Sequence, residues 1–560
     1  MKYFGFFLLF LLVFPIQVLA QELPENNKFG IHIAQAHDED IERADELVNS
    51  SGGEWGYITL VIQENDRDVH KWQSIFNKLR EKKLIPIIRL ATQPENANWR
   101  RPNEENAKEW VSFLDKLNWV VKDRYIILFN EPNHAAEWGG EVDAVSFAKV
   151  NKVFAEELKK SNSDYIIMMG GLDLSAPSSR PHYEDAGIFF ETVINEIGST
   201  DFNKLFDGLA SHSYPNPGFV GSPSDTGRKS VRGYEWELQL LQSLGVKELP
   251  VFITETGWNG SALSRETVAR NFNIAFNSVW LPDKRVKAVT PFILNYQTEP
   301  FLQFSWVKPQ NVGVYPEFEL VKSLPKERGN PSIRQSGRFL LDLPKEIVER
   351  STYHFQIELE NTGQAIWEQG EYSLQLEGIP STRYLISSMN SIKPNDTRII
   401  DVYITTGTEL GITETQFILF KGEKEILRSK PWSFIVVPLP SLEFEVSLFP
   451  KFDLNLEDFE LQFFDEYEQL VFKTKGIDIK NGKGMIDKVE NIALGRKYRV
   501  VILKQYYLPR QTYVVFKEKN NSIQFERMLP FDFTGDGAFR WNDVTTFFTS
   551  SDGYKLLLPF

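Results

Sequence analysis

The chain has 560 residues and a net charge of −14 at pH 7. That length exceeds one ordinary domain and fits three or four, and the acidic balance argues against a phosphate backbone as partner, so no nucleic acid is expected. With 42% hydrophobic and 25% charged residues the composition is globular, and the absence of cysteine rules out disulfides, thiolate metal sites and a lipid anchor on cysteine.

The N-terminus reads MKYFGFFLLFLLVFPIQVLAQE. Lys2 gives a basic start, Phe6 to Phe14 is continuously apolar, and Val18 and Ala20 hold the small-residue positions of a cleavage site. Residues 1–20 therefore read as a signal peptide, and the mature chain as secreted. The run is short for a membrane span and no second one follows, so no membrane association is expected after cleavage.

From residue 28 to residue 325, short apolar runs alternate with amphipathic stretches. The runs are Phe29–Ile33, Tyr57–Ile62, Ile85–Leu90, Tyr125–Asn133, Tyr165–Asp173, Leu205–Pro215, Pro250–Trp258 and Val289–Tyr296. They are near-continuously apolar, as strands covered on both faces should be. Stretches such as DVHKWQSIFNKLREKK repeat apolar residues at steps of three and four, which is the helical period. Eight such units predict a (β/α)8 TIM barrel. A doubly wound sheet would carry a glycine-rich loop after its first strand, and GIHIAQAHDED has none.

A linker over 326–337 is expected from its Gly, Pro, Ser and charge content. Beyond it the period changes to two. Tyr353, Phe355, Ile357 and Leu359 alternate with polar residues, and similar runs continue to Pro438. A β-sandwich over 338–438 is expected, then a second β-sandwich-type domain over 441–525.

Three strand ends carry chemistry-bearing residues. The fourth run ends in Asn130-Glu131-Pro132, the sixth holds His212 and Tyr214, and the seventh ends in Thr254-Glu255-Thr256-Gly257-Trp258. The C-terminal ends of barrel strands are where this fold builds its sites, and strands four and seven face each other across the mouth. Two carboxyls about 5–5.5 Å apart are what retaining glycoside cleavage needs.

These residues resemble clan A of the (β/α)8 retaining glycoside hydrolases, over roughly residues 28–325. The resemblance implies Glu131 as general acid/base, Glu255 as nucleophile, and a carbohydrate as partner. It implies substrate contacts by Asn130, His212, Tyr214 and Arg89, the last holding the nucleophile ionised while the acid/base is raised. Catalysis would need no cofactor. The clan's tryptophan at the end of strand eight has no counterpart, because Tyr296 and Gln297 stand there; Trp306 is expected to fold back in its place, with Trp258, Trp138 and Trp99 as further sugar platforms. An inactive carbohydrate-binding or scaffold barrel and a transglycosylase are the alternatives.

The stretch ELENTGQAIW resembles immunoglobulin-like modules in which an Asn-Thr-Gly turn precedes a core Trp, so the 338–438 domain is read as Ig-like. Near the end, DFTGDGAFRWND sets Asp532, Thr534, Asp536 and Asp543 at positions 1, 3, 5 and 12 of a calcium loop. Gly537 falls at the turn position, and the carbonyl of Ala538 would be the seventh-position ligand. An Asp at position 12 resembles a dockerin repeat. Residues 526–560 are therefore expected to form a dockerin-like tail with a structural calcium and, through it, a cohesin-type partner. Only one such loop is present, and Arg540 replaces the usual position-9 ligand.

Overall fold

A computed structural model describes residues 27–380, 383–450 and 455–549; the signal-peptide segment lies outside them. The chain divides into two compact units, one ending at Arg334 and the other beginning at Gln335.

The first unit is an eight-stranded parallel barrel. Its strands are β1 (Gly30–His32), β2 (Tyr57–Gln63), β3 (Ile85–Ala91), β4 (Arg124–Leu128), β5 (Tyr165–Met169), β6 (Leu209–His212), β7 (Val251–Glu255) and β8 (Val286–Val289). Strands β1 to β5 pair in sequence, as do β6 to β8. Parallel bridges Phe29↔Val289 and Asp173↔His212 join the two arcs and close the ring. Closure explains the apolar runs: each strand has one face in the barrel and the other against helices, and β7 is buried throughout.

The helices cover the outside. In α1 (Ala144–Ser161), Phe147, Val150, Phe154 and Leu158 are buried at three- and four-residue steps. Its start is fixed by Asp143, whose carboxylate accepts from the Ser146 N–H. Asp185 and Ser264 cap the helices Ala186–Ile197 and Arg265–Ala275 in the same way.

The eighth strand differs from the sequence reading. It spans Val286–Val289 and leaves the ladder before Pro291, which has no N–H to donate. The expected Val289–Tyr296 strand is loop from Thr290 onward. The expected linker differs too. Residues 326–334 are fastened to the barrel unit: the Lys326 ammonium donates to the carbonyls of Val321, Lys322 and Leu324, Gly329 N–H donates to Glu54, and Arg334 pairs with Asp164 at 2.6 Å. Its polar composition feeds these bonds instead of leaving the segment free.

Among the described residues of the second unit, the named elements are β-strands until the last helix. One four-stranded sheet (from Gly337–Leu340 to Thr397–Thr405) and one five-stranded sheet (from Glu346–Val348 to Trp432–Val437) enclose a core of Phe355, Ile357, Leu359, Trp367, Phe417 and Trp432. The Asn-Thr-Gly turn is part of that core: the buried Asn361 amide donates to the carbonyls of Ala365 and Ile392, just before Trp367. A second core, with Phe444, Phe459, Phe463 and Phe516, lies between a three-stranded and a five-stranded sheet. Strand Pro530–Asp532 pairs with Tyr506–Tyr507 at the edge of the latter, so the acidic loop starts on this sheet and runs into helix Trp541–Thr549.

Candidate active site

The C-terminal ends of the strands open into a cavity of about 330 Å3. Glu131 reaches it through a bend after β4, where Phe129 (φ 69°) and Glu131 (φ 29°) adopt left-handed backbone. The bend is held by two bonds, Gly170 N–H to Leu128 O at 2.9 Å and Glu131 N–H to Gly171 O at 3.0 Å. Gly170 is required there, because a Cβ would stand 2.8 Å from the Phe129 carbonyl. The strain cost lies at the site where it aims the carboxylate.

Glu255, the last residue of β7, faces Glu131. One oxygen of each carboxylate and one ring nitrogen of His212 lie within 4.8 Å of one another. The partners differ. Arg89, on β3, donates through Nη1 to Glu255 Oε1 at 2.6 Å and to Asn130 Oδ1 at 2.6 Å. Tyr214 donates to Glu255 Oε2 at 3.1 Å, and His212 Nδ1 sits 2.8 Å from Glu131 Oε1.

These contacts set the charges. Burial works against ionisation of Glu255, yet the His212 and Arg89 charges outweigh it and hold the carboxyl down to about 2. Burial likewise opposes a charge on His212, and Glu255 and Glu131 reverse it, raising the imidazole. Burial, followed by the Glu255 and Glu131 charges, pushes the Tyr214 phenol well up, so it stays a donor. His32, buried at the end of β1, is driven down to about 3, by burial first and then by Arg89, and is neutral.

Of the residues singled out by sequence, Glu131, Glu255, Asn130, Arg89, His212 and Tyr214 are thus brought together. Trp258 and Trp306 are not. Each is 1% exposed, both pack on Phe272, and Trp258 donates to Gly221 O at 2.8 Å. Neither can offer a face to a sugar; their large apolar area is spent between barrel and helices. Trp138 is also core, against Phe129 and Phe147, whereas Trp99 lines the cavity. Tyr296 does not line the cavity and sits edge-on to Phe301 at 5.3 Å.

The aromatic wall is instead phenylalanine. Phe219, Phe292, Phe301 and Phe304 line one side with Tyr214. Phe292 follows directly from ending β8 before Pro291, so a strand boundary drawn at that proline would have found it. The lining also includes Glu137, His134 and Asp173, which sequence reasoning missed as well. The His134 ring meets Asp173 at 2.9 Å. Nothing in their local sequence marks them, since each is a polar loop residue among many.

The described residues include no helix long and apolar enough to cross a membrane. No protein-family model matches the sequence, and no curated protein does. Solved structures with a similar fold include a monomeric β-xylosidase from Caulobacter crescentus CB15 (11% identity, TM-score 0.40, covering 84% of this chain and 98% of that one). A family 51 α-L-arabinofuranosidase from Bifidobacterium longum matches at 9% identity and TM-score 0.39, covering 68% of this chain and 96% of that one. A β-mannanase from Thermomonospora fusca matches at 11% identity and TM-score 0.35, covering 55% and 90%. These neighbours are glycosidases at low identity, and the case for this chain rests on its own strand order and side-chain geometry.

Proposed function

We propose that the chain is a secreted retaining glycosidase that hydrolyses a β-linked O-glycosidic bond. The observation that carries this is the Glu131–Glu255 pair, with oxygens within 4.8 Å and unlike partners. A retaining pair stands about 5–5.5 Å apart, whereas inversion needs about 6.5–9.5 Å to admit a water between carboxylate and sugar.

Glu255, held as an anion by Arg89 and Tyr214, attacks the anomeric carbon. Glu131 gives its proton to the departing glycosidic oxygen as that bond breaks. A covalent glycosyl ester on Glu255 results, and its formation removes the nucleophile's charge. Water then attacks the same carbon, Glu131 takes the water's proton, and the ester oxygen leaves as carboxylate. Asn130, whose Oδ1 accepts from Arg89, would bond the sugar 2-hydroxyl.

The test is a panel of aryl β-glycosides and plant polysaccharides given to the full chain and to Glu255→Ala. Wild type should cleave at least one, with the variant slower by about 10⁴-fold or more. Equal inertness across the panel would sink the reading, and net inversion seen by NMR of the first-formed anomer would remove Glu255 as nucleophile.

We also infer a structural calcium in the C-terminal loop. Oxygens of Asp532, Asp536 and Asp543 lie within 4.8 Å of one another. Asp532 is buried and its Oδ1 has no hydrogen-bond partner. Gly537 makes the turn at φ 79°. An all-oxygen anionic set suits a hard cation, which Thr534 and the Ala538 carbonyl would help to hold by their loop positions. The ion would neutralise the clustered carboxylates.

A further inference from the structure

The mouth contains a third carboxyl that double displacement does not use. Glu137 ends a short 3-10 turn, Ala135–Glu137, and lines the same cavity as Glu131 and Glu255. The turn is rigidly mounted. Ala135 N–H donates to His182 O at 2.8 Å, Glu137 N–H to His134 O at 3.1 Å, and the Trp138 ring is wholly buried beside it.

Asn130 connects this carboxyl to the nucleophile. Its Oδ1 accepts from Arg89, and its side chain lies near enough to Glu137 to favour that carboxyl's anion. Glu255, Arg89, Asn130 and Glu137 all line the one cavity. The charges facing Glu137 are Glu131 and Glu255, which repel its anion, Arg89, which attracts it, and His134, which is paired with Asp173. Burial first, and the Glu131 charge second, push Glu137 up to about 7. In mildly acidic solution it is a neutral acid able to donate as well as accept.

We propose that Glu137 is the sugar-selecting residue of this pocket: it binds a hydroxyl of a neutral glycosyl unit next to the one held by Asn130, and the pocket refuses uronic acids. The refusal follows from placement, because a sugar carboxylate there would be stripped of water beside the Glu255 anion, while the Arg89 Nη1 is already engaged by Glu255 and Asn130. The inference rests on the glycosidase reading and deepens it.

The experiment uses the full chain as wild type, Glu137→Gln and Glu137→Ala, with 4-nitrophenyl β-glycosides of xylose, glucose, mannose and glucuronic acid. Wild type should cleave a neutral glycoside and leave the glucuronide. On the neutral glycoside cleaved best, Glu137→Ala should raise KM by about tenfold or more, the loss expected for an unmade buried hydrogen bond, with kcat within about threefold. Wild-type KM should rise above about pH 7 as Glu137 ionises and stops donating. Glu137→Gln, which keeps a donor, should bind nearly as wild type at pH 5.5 and lack that rise. A purely structural residue would lower the melting temperature without producing or removing a pH dependence of KM. If Glu137→Ala fails to fold, the Glu137→Gln profile decides. Preference for the glucuronide, or an unchanged KM profile in Glu137→Gln, overturns the proposal while leaving the glycosidase reading intact. A wild type as inert as Glu255→Ala on every substrate overturns both.

Discussion

Two acidic clusters in this chain are alike in composition and opposite in wiring. At the barrel mouth, Glu131 and Glu255 are set beside cations that belong to the protein, Arg89 and His212. In the C-terminal loop, Asp532, Asp536 and Asp543 receive mainly backbone N–H groups: Gly537 donates to Asp532 at 3.0 Å, Ala538 to Asp536 at 3.0 Å, and Arg540 to Asp543 at 2.7 Å. Among the described residues, the side-chain cation paired with them is Arg540, 3.5 Å from Asp536 and largely exposed. A cluster with a built-in cation has its charges fixed for chemistry. A cluster with dipoles and one unbonded buried oxygen is suited to an added cation. A third acid, Glu237, shows the limit with no cation in contact: fully buried and bonded by Ser211, it is pushed up to about 7, by burial above all.

The comparison breaks most visibly at Arg89. Arg89→Met leaves Glu255 with burial and without its bonded guanidinium, so its carboxyl rises from about 2 and the acid limb of kcat/KM moves to higher pH. We expect kcat to fall about 10²- to 10³-fold, in the range for loss of one fixed electrostatic partner. A pH–rate profile checks both, and an unmoved acid limb would show that Arg89 does not hold the nucleophile.

Next in size is Glu237. Its folded value, about 7, exceeds the ordinary carboxyl value of 4.5, so the folded state holds a proton that the unfolded state releases between those values. Its contribution is complete below pH 4.5 and is lost as pH rises toward 7, by at most about 3 kcal/mol. Glu237→Gln should flatten that part of the stability curve in denaturant titrations at pH 4.5 and 7; an equal slope in both proteins would refute it.

The smallest effect concerns the loop. Calcium at some thirty times its dissociation constant should stabilise the C-terminal unit by about 2 kcal/mol. Calorimetry with calcium and with chelator should show that shift, and Trp541 fluorescence should follow the titration. Asp532→Asn should lose both responses, while activity on an aryl glycoside stays unchanged. Identical melting with calcium and chelator would count against the site.

Much of this was legible from residue order. Four of the eight barrel strands lie within their apolar runs and three more overrun theirs by one residue, because a strand covered on both faces has to be apolar along its length. Strand β4 was readable at Tyr125–Leu128 and the carboxylate after it was readable from Asn130-Glu131-Pro132. The eighth run misled because Phe292, Ile293 and Leu294 are apolar for another reason: they pack in the loop after Pro291. Tryptophans misled in the same way. Trp258 follows Glu255 closely in sequence, but ring area alone does not reveal whether a face is open to a ligand or closed by Phe272.

The sequence by itself determined which segments become strands, their order, and that acids stand at the ends of the fourth and seventh. Those are local matters of period and turn residues. Only the tertiary structure decided what each acid touches. Arg89 and Glu255 are 166 positions apart, and His212 and Glu131 are 81 apart. Barrel closure brings these groups within hydrogen-bonding distance, and with them Glu137 and the phenylalanine wall. No pattern along the chain encodes a distance across the barrel, so the charge on Glu255 and the shape of the pocket follow from closure.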